Sequence, residues 1–264
     1  MPTWNKQPTS WGWFHILGVL IAMFFIFLGF YLGKKLKKDE HPNANKIILW
    51  SCSAFFILFE IIKEIGLVVR NEFAYSELPF QICSLVIFAF PIRLLVKPGK
   101  VKDALVSFLS FFCVTGAFFY FVQPTTALNS PYILISLRSF LWHWMILFSC
   151  TFLSESYDIY RNFTFRFFLR GYLIWFSCLL IALLIDTLGY FYAPDLNLNF
   201  FYIAYGTKPF YPILNLFFTT TEIGRKYYAL YFIAFALYYG LGSYVIGWLF
   251  CFFHHCRNGF KKKT

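Results

Sequence analysis

The chain has 264 residues, of which 59% are hydrophobic, 24% aromatic and only 13% charged, and its mean hydropathy is +0.62. Soluble domains carry roughly a quarter charged residues and disordered chains need low hydrophobicity, so both of these classes are excluded. The apolar stretches do not alternate with polar residues as the strands of a membrane barrel do, so the composition predicts an all-α membrane protein.

Seven apolar stretches reach the length of about 20 residues that a spanning helix needs. We predict one polytopic transmembrane domain over residues 1–264, with spans at about 12–33, 47–69, 78–96, 104–122, 132–153, 167–189 and 228–253. The first span is expected to be a retained anchor, because its apolar run is too long for a signal peptide and its basic residues follow it. A loop at about 190–227 faces outward, and loops of this length are usually functional.

The basic residues are distributed unevenly between the two sides of the predicted spans. Sixteen of the 23 lysines and arginines lie in the loops after spans one, three and five and in the C-terminal tail. Positive charge marks the cytoplasmic side, so the N-terminus is predicted to lie outside and the C-terminus in the cytoplasm. We therefore interpret the net charge of +11 as an orientation signal in a multi-pass protein of the cell (plasma) membrane. The predicted partners are membrane lipids, with no nucleic acid, and the sequence predicts no oligomeric state.

Ionisable side chains inside the spans converge on the outer half of the membrane. At 1.5 Å per residue, Glu60, Lys63 and Glu64 lie roughly 8–14 Å below the outer end of span two. By the same arithmetic Arg138 lies about 9 Å and His143 about 16 Å inside span five. The inner halves of these helices are almost wholly apolar. Buried ionisable groups are costly in a bilayer and usually mark a cavity or a site, so we expect a site at this depth.

Helical spacing predicts which of the polar groups meet. Glu60, Lys63 and Glu64 lie on one helix face, so Lys63 is expected to form an ion pair with either acid. In span three, Gln81 and Ser84 share a face. Cys83 then lies about 200° around the helix from Gln81, so these two side chains are not expected to point into one cavity.

Each of these residues also has a purely structural interpretation. Glu60 and Lys63 could simply satisfy one another, and Arg138 could anchor the helix to lipid headgroups. His143 could hydrogen-bond a neighbouring helix, and Cys83 could be a small buried apolar side chain. Their convergence on one depth favours a shared site over five unrelated structural details.

No motif in the sequence implies a metal or another cofactor. His254, His255 and Cys256 are metal-ligand residue types, but they lack a second pair of ligands. Walker, dinucleotide-binding and zincin motifs are absent. Gly29 and Gly33 match the GxxxG pattern, which is a common chance match in apolar sequence and can also mark a packing face.

The order of the polar motifs resembles a known family. The motifs are Glu60 with Lys63, Glu77-Leu78-Pro79-Phe80-Gln81-Ile82-Cys83, Gln123-Pro124, Arg138 with Trp142-His143, and Asn199-Phe200-Phe201-Tyr202. Over about 47–220 the chain is similar to the YwaF-type bacterial integral membrane proteins, which are distantly similar to the transmembrane protein 164 acyltransferases. Two departures stand out: YwaF-type sequences usually have histidine at the position of Gln81, and in the eukaryotic enzymes a cysteine stands where this chain has Phe80.

The resemblance implies a membrane acyltransferase or transacylase that acts on phospholipid or lipid-linked acyl groups from an outer-leaflet cavity. His143 would be the general base, Cys83 a nucleophile, and Gln81 an orienting or oxyanion-stabilising donor. Substrate would be bound by Arg138, Lys63, Glu60, Ser84, Asn199 and Tyr202.

The alternative is a non-enzymatic transporter or a small-solute- or lipid-binding membrane protein, since intramembrane charges also line transport pathways. The apolar inner halves of the helices and the lack of an inverted repeat favour the acyltransferase.

Overall fold

The computed structural model of the chain describes residues 3–4, 7–123, 128, 130–205, 212–218 and 226–259. The helices are, in chain order, α1 (Trp13–Lys35), α2 (Pro42–Val69), α3 (Val86–Leu95), α4 (Lys100–Ser107), α5 (Val114–Val122), α6 (Ile133–Ser156), α7 (Phe165–Tyr192), α8 (Pro212–Phe217) and α9 (Tyr228–Gly259). Over these residues the β pairing is a single isolated bridge between Thr3 and Tyr132. The predicted all-α membrane fold is confirmed.

Five helical segments of the described chain are long and apolar enough to cross a membrane: α1, the continuous stretch Lys100–Val122, α6, α7, and α9 as far as Cys256. The helix α2 has 28 residues, but the charged group around Lys63 lowers its hydropathy. Ile82–Leu95 forms a shorter apolar helix.

The third span begins later than its apolar run, and the prediction of a helix from residue 78 is wrong at that end. Tyr75–Glu77 and Ile82–Leu85 form 3₁₀ turns, and the α-helix begins only at Val86. Leu78 is extended, with ψ of 149°. Proline explains this, because the ring of Pro79 disfavours the α conformation in the residue before it.

The helix Lys100–Val122 is the most deeply buried of the spanning segments. Its middle, Phe108–Cys113, is a π-helical turn whose six side chains are all buried. A π turn widens the helix locally and directs carbonyl groups outward. One of these, on Phe112, accepts a hydrogen bond from the Tyr239 hydroxyl at 2.8 Å. Tyr239 also stacks on Trp175, with ring centroids 5.0 Å apart, so the core of the bundle is aromatic.

The helices α1 and α6 pack closely through glycines. A Cβ placed on Gly29 would overlap the hydroxyl of Thr151, and one on Gly33 would lie 2.9 Å from Cβ of Glu155. Both glycines are buried. The GxxxG pattern of this chain is therefore a packing face and not a chance match.

The bundle has two chemically different ends, which we name by their contents. The basic end contains the connections 36–41, 96–99 and 157–164, and it is held by the bond from Lys38 N to Ser156 O at 3.2 Å. The cavity end contains 70–85 and 193–205.

Candidate functional site

A cavity of about 280 Å³ lies at the cavity end, between α2, α6 and the turns before α3. It is lined by eight of the nine residues predicted as site residues: Glu60, Lys63, Gln81, Cys83, Ser84, Arg138, His143 and Tyr202. The ninth, Asn199, lies in the segment that carries Tyr202 and does not line the cavity. The remaining lining residues are Phe59, Ser76, Glu77, Leu78, Ile135, Ser139 and Trp142.

Gln81 and Cys83 both line this cavity, so the prediction that they point apart is wrong. That prediction assumed the 100° rotation per residue of an α-helix. Gln81 is instead extended, with ψ of 154°, and Cys83 lies in the 3₁₀ turn that follows. The irregular backbone before α3 therefore presents Gln81, Cys83 and Ser84 to one space.

The imidazole of His143 is held in one orientation by its own helix. Its Nδ1 lies 2.7 Å from the carbonyl oxygen of Ser139, one turn earlier. Because a carbonyl can only accept, Nδ1 carries the proton, and Nε2 of the neutral ring is then the acceptor. A buried, oriented imidazole with an acceptor nitrogen is the arrangement that general-base chemistry requires.

Tyr120 also holds the ring of His143 in place. The sequence did not indicate this residue as part of the site. Its ring stacks on the imidazole, with centroids 3.5 Å apart and planes 3° apart. Its hydroxyl donates to Oγ of Ser139 at 2.9 Å. Nothing in the sequence distinguishes Tyr120 from the other 17 tyrosines, since the contact depends on how α5 packs against α6.

The ammonium of Lys63 is surrounded by acceptors. It lies 2.6 Å from Oε1 of Glu60 and 2.8 Å from Oε1 of Glu64, which confirms the predicted ion pair. It also donates to the carbonyl oxygen of Glu77 at 2.6 Å. Two carboxylates therefore balance the charge of Lys63 within the protein.

Arg138 differs from Lys63 in this respect. Its side chain lines the cavity, and its guanidinium forms no hydrogen bond or ion pair with any residue that the structure describes. The carboxylates of Glu60 and Glu77 lie within electrostatic range. Arg138 is therefore the cation that can meet an anionic group entering the cavity.

Gln81 holds the outer segment 199–204 with both ends of its amide. Its Nε2 donates to the carbonyl oxygen of Asn199 at 3.0 Å, and its Oε1 accepts from the amide of Phe201 at 2.9 Å. The side chain of Asn199 accepts from the amide of Ala204 at 3.1 Å. Gln81 and Asn199 therefore shape the wall of the cavity.

The outer segment has a strained backbone. Phe201 and Tyr202 both have positive φ, 55° and 58°, a region that non-glycine residues rarely adopt. The neighbouring Phe200 is fixed by its amide, which donates to Oδ1 of Asp186 at 3.0 Å. These bonds hold Tyr202 against the cavity, where burial raises the pKa of its phenol and keeps it protonated.

Aromatic rings close the inner side of the cavity. Trp142 lines the cavity beside His143, and Phe56 meets it edge to face with centroids 5.2 Å apart. Phe90 lies 5.6 Å from Phe56, and both phenylalanines are fully buried. The inner boundary is therefore apolar, as the sequence of the inner helix halves indicates.

Two further histidines serve structural roles. His15 donates from Nε2 to the carbonyl oxygen of Phe121 at 2.8 Å, and its Nδ1 accepts from the amide of Trp11 at 2.9 Å. His254 lies 2.9 Å from a carboxylate oxygen of Glu155. In the described ranges no group of three His, Cys, Asp or Glu side chains is placed to hold a metal ion.

The comparisons with known proteins identify one family. The sequence profile of the TMEM164 family matches residues 8–250 of the chain. No curated protein and no solved structure matches the chain significantly. The matched range includes every residue that lines the cavity.

Proposed function

The chain belongs to the TMEM164 family, and from this membership and the geometry of the cavity we propose that it is an integral membrane acyltransferase or transacylase. It acts on phospholipid or lipid-linked acyl groups. The observation that carries the proposal is the orientation of His143, whose Nδ1 is held by Ser139 O. Its acceptor nitrogen thus belongs to a cavity that also contains the thiol of Cys83.

The proposed reaction has two half-reactions. Nε2 of His143 first takes the proton of the Cys83 thiol, and the thiolate attacks the carbonyl carbon of an acyl ester. The ester C–O bond breaks, the leaving alkoxide takes the proton from His143, and the acyl group remains on Cys83 as a thioester. His143 then takes the proton of an acceptor hydroxyl, whose oxygen attacks the thioester, and the leaving thiolate recovers that proton. No further reactant is consumed.

The other lining residues have distinct tasks in this proposal. Arg138 binds the phosphate of the lipid, because its guanidinium has no protein partner in the described chain and matches phosphate oxygens. Gln81 donates one amide hydrogen to Asn199, and the second is our candidate donor to the oxyanion. Lys63 holds the acidic pair and Glu77 in place, so we assign it a positioning task.

The closed inner side favours lipid chemistry over transport. A transport pathway needs polar groups on both sides of the site. Here the fully buried rings of Phe56 and Phe90 pack behind Trp142, which lines the cavity. The cavity volume of about 280 Å³ suits the ester and headgroup region of a lipid, with the acyl chains remaining in the membrane.

The test uses the purified full chain in vesicles that contain a labelled phospholipid and an unlabelled lysolipid. Transfer of the labelled acyl chain is expected to fall at least about 100-fold in His143→Asn and in Cys83→Ala, since a general base is worth roughly 10²–10⁴ in rate. Asparagine keeps a donor toward Ser139 O, so His143→Asn preserves the local bond.

The controls are His255→Asn and Cys52→Ala, which change the same residue types away from the cavity. Both should retain activity within about twofold, as expected for substitutions outside the site. Full transfer by His143→Asn would refute the proposal. If His143→Asn loses acyl transfer while Cys83→Ala retains it, the thioester intermediate is refuted. The acyl group would then pass directly from the donor lipid to the acceptor.

A further inference from the structure

A second group of cations lies at the basic end, on the opposite side of the bundle from the cavity. The basic cluster consists of Arg93 and Lys38, which both contact the ring of Tyr157, and the neighbouring Lys102. Cζ of Arg93 lies 4.4 Å and Nζ of Lys38 lies 5.0 Å from the centroid of the Tyr157 ring. Nζ of Lys102 donates to the carbonyl oxygen of Val96 at 3.1 Å and is within electrostatic range of both other cations.

Arg93 is buried, and two of its three guanidinium nitrogens have no hydrogen-bond partner. Only 1% of the residue is exposed, and its Nε and Nη2 atoms have no hydrogen-bond partner. Its side chain forms no ion pair with any residue in the described ranges. A guanidinium has five N–H donors in a planar fork, so most of its hydrogen-bonding capacity is unused.

The acidic residues at this end are occupied elsewhere or exposed. The pairs are Asp103 with Arg170 at 2.9 Å, Asp158 with Lys37 at 2.7 Å, and Glu155 with His254 at 2.9 Å. Asp39 and Glu40 are exposed in the connection after α1. Three positive side chains therefore lie close together, and no carboxylate of the described chain forms an ion pair with them.

Burying an unpaired charge is among the costliest arrangements in a protein. The face of Tyr157 compensates only in part, because cation–π attraction is weaker than an ion pair with hydrogen bonds. An anion bound between the three cations would accept hydrogen bonds from the unpaired N–H groups of Arg93. Lys38 is exposed and Lys102 half-buried, so such an anion can enter from the membrane surface.

We propose that Arg93, Lys38 and Lys102 form a binding site for a phosphate group. The guanidinium fork matches two phosphate oxygens, and the ammonium groups add point charges. Arg93 lies two residues before the end of α3, at the basic end of the bundle. The phosphate belongs either to an anionic lipid of the leaflet at the basic end or to a free phosphate compound.

The experiment measures the thermal unfolding midpoint of the full chain in phosphatidylcholine nanodiscs. One arm adds phosphatidylglycerol to the discs, and the other adds inorganic phosphate against chloride at equal ionic strength. We expect a rise of the midpoint in at least one arm, because a ligand that binds only the folded state stabilises it. A rise with phosphatidylglycerol alone identifies a lipid site, and a rise with inorganic phosphate identifies a soluble ligand.

The variants Lys38→Gln and Lys102→Gln should each weaken binding about tenfold, as expected for the loss of a charge-assisted bond. Lys97→Gln and Lys100→Gln remove the same charge from exposed positions of the same connection, and they should change binding less than about twofold. Equal effects of all four variants, or no rise in either arm, would overturn the proposal.

Arg93→Met separates ligand binding from structural support. Without an added anion this variant should unfold at the same or a higher temperature, because it removes an unpaired buried charge and keeps the side-chain length. In this variant the anion should also no longer raise the unfolding midpoint. A rise as large as that of the unaltered chain would show that Arg93 serves only to pack against Tyr157. Should Arg93→Met fail to fold, the two lysine variants still decide the outcome.

Discussion

The two cations of the cavity, Lys63 and Arg138, have opposite surroundings. Lys63 lies 2.6 Å from Glu60 and 2.8 Å from Glu64, with side-chain exposures of 10% for Lys63 and 11% for Glu60. The guanidinium of Arg138 is without a partner in the described chain. The same positive charge thus maintains the structure at one position and is available for a ligand at the other.

Lys63→Met should destabilise the protein. The substitution leaves two largely buried carboxylates without a counter-ion, and breaking such a pair costs about 3–5 kcal/mol. The measurement is the free energy of unfolding of the purified protein in detergent. Lys46→Met, an exposed position on the same helix, is the control and should change it by less than about 0.5 kcal/mol. The double variant Lys63→Met with Glu60→Gln should recover part of the loss, and failure to recover any would contradict the assigned pair.

Arg138→Gln should weaken lipid binding while leaving the fold intact. A hydrogen bond to a charged group contributes about 1.5–3 kcal/mol, which corresponds to at least a tenfold loss of affinity. The measurement is the dissociation constant for a fluorescent lysophospholipid in detergent. Arg138→Lys should retain an intermediate affinity. The control Arg70→Gln should bind normally, because Arg70 does not line the cavity and is paired with Glu72. Unchanged binding by Arg138→Gln would exclude it as the phosphate ligand.

At the scale of elements, one wall of the cavity depends on close helix packing and the opposite wall on irregular turns. The helices α1 and α6 approach through Gly29 and Gly33, which leave no room for a side chain. Since α6 also carries Arg138 and His143, this contact sets the position of the cavity wall. The opposite wall comes from the turns before α3, where Pro79 interrupts the helix.

Gly29→Ala should destabilise the bundle. The added methyl group overlaps the Thr151 hydroxyl, so α1 and α6 must separate, and overpacking of this kind costs about 1–3 kcal/mol. The measurement is the unfolding midpoint in detergent. Gly66→Ala is the control, because the nearest atom to its new Cβ is 4.0 Å away. That variant should be neutral or slightly stabilised, since alanine has the higher helix propensity. Equal midpoints for the two variants would contradict the close packing.

The whole molecule is polarised between its ends. The cavity end holds an acidic and basic group around Lys63, whereas the basic end holds Arg93, Lys38 and Lys102 without an acid among the described residues that face them. The aromatic core around Phe112 and Trp175 separates the two ends. Ligands at the two ends would therefore reach the protein from opposite sides of a membrane.

The predicted orientation places the cavity end outside the cell. A membrane-impermeant maleimide should label Asp195→Cys in intact cells, because residue 195 is exposed at the cavity end. The exposed native Cys256, at the other end of α9, should react only after the membrane is permeabilised. The reverse pattern would show that the positive charge lies outside.

The sequence by itself determined the all-α membrane fold and the presence of charged residues within its apolar helices. These features depend on hydropathy and on the periodicity of a regular helix, both of which are local properties of the chain. Glu60, Lys63, Arg138 and His143 could be chosen for the same reason, since an ionisable residue inside an apolar run is visible without knowledge of its neighbours. Tyr202 was chosen from the family resemblance.

Only the tertiary structure decided what those residues contact. It joined Gln81 to residues 199–201 across more than a hundred positions of sequence, placed Tyr120 against His143, and left Arg138 and Arg93 without carboxylate partners in the described chain. Such contacts arise where the helix is interrupted or where distant helices pack, and neither the local hydropathy nor the helical period contains that information.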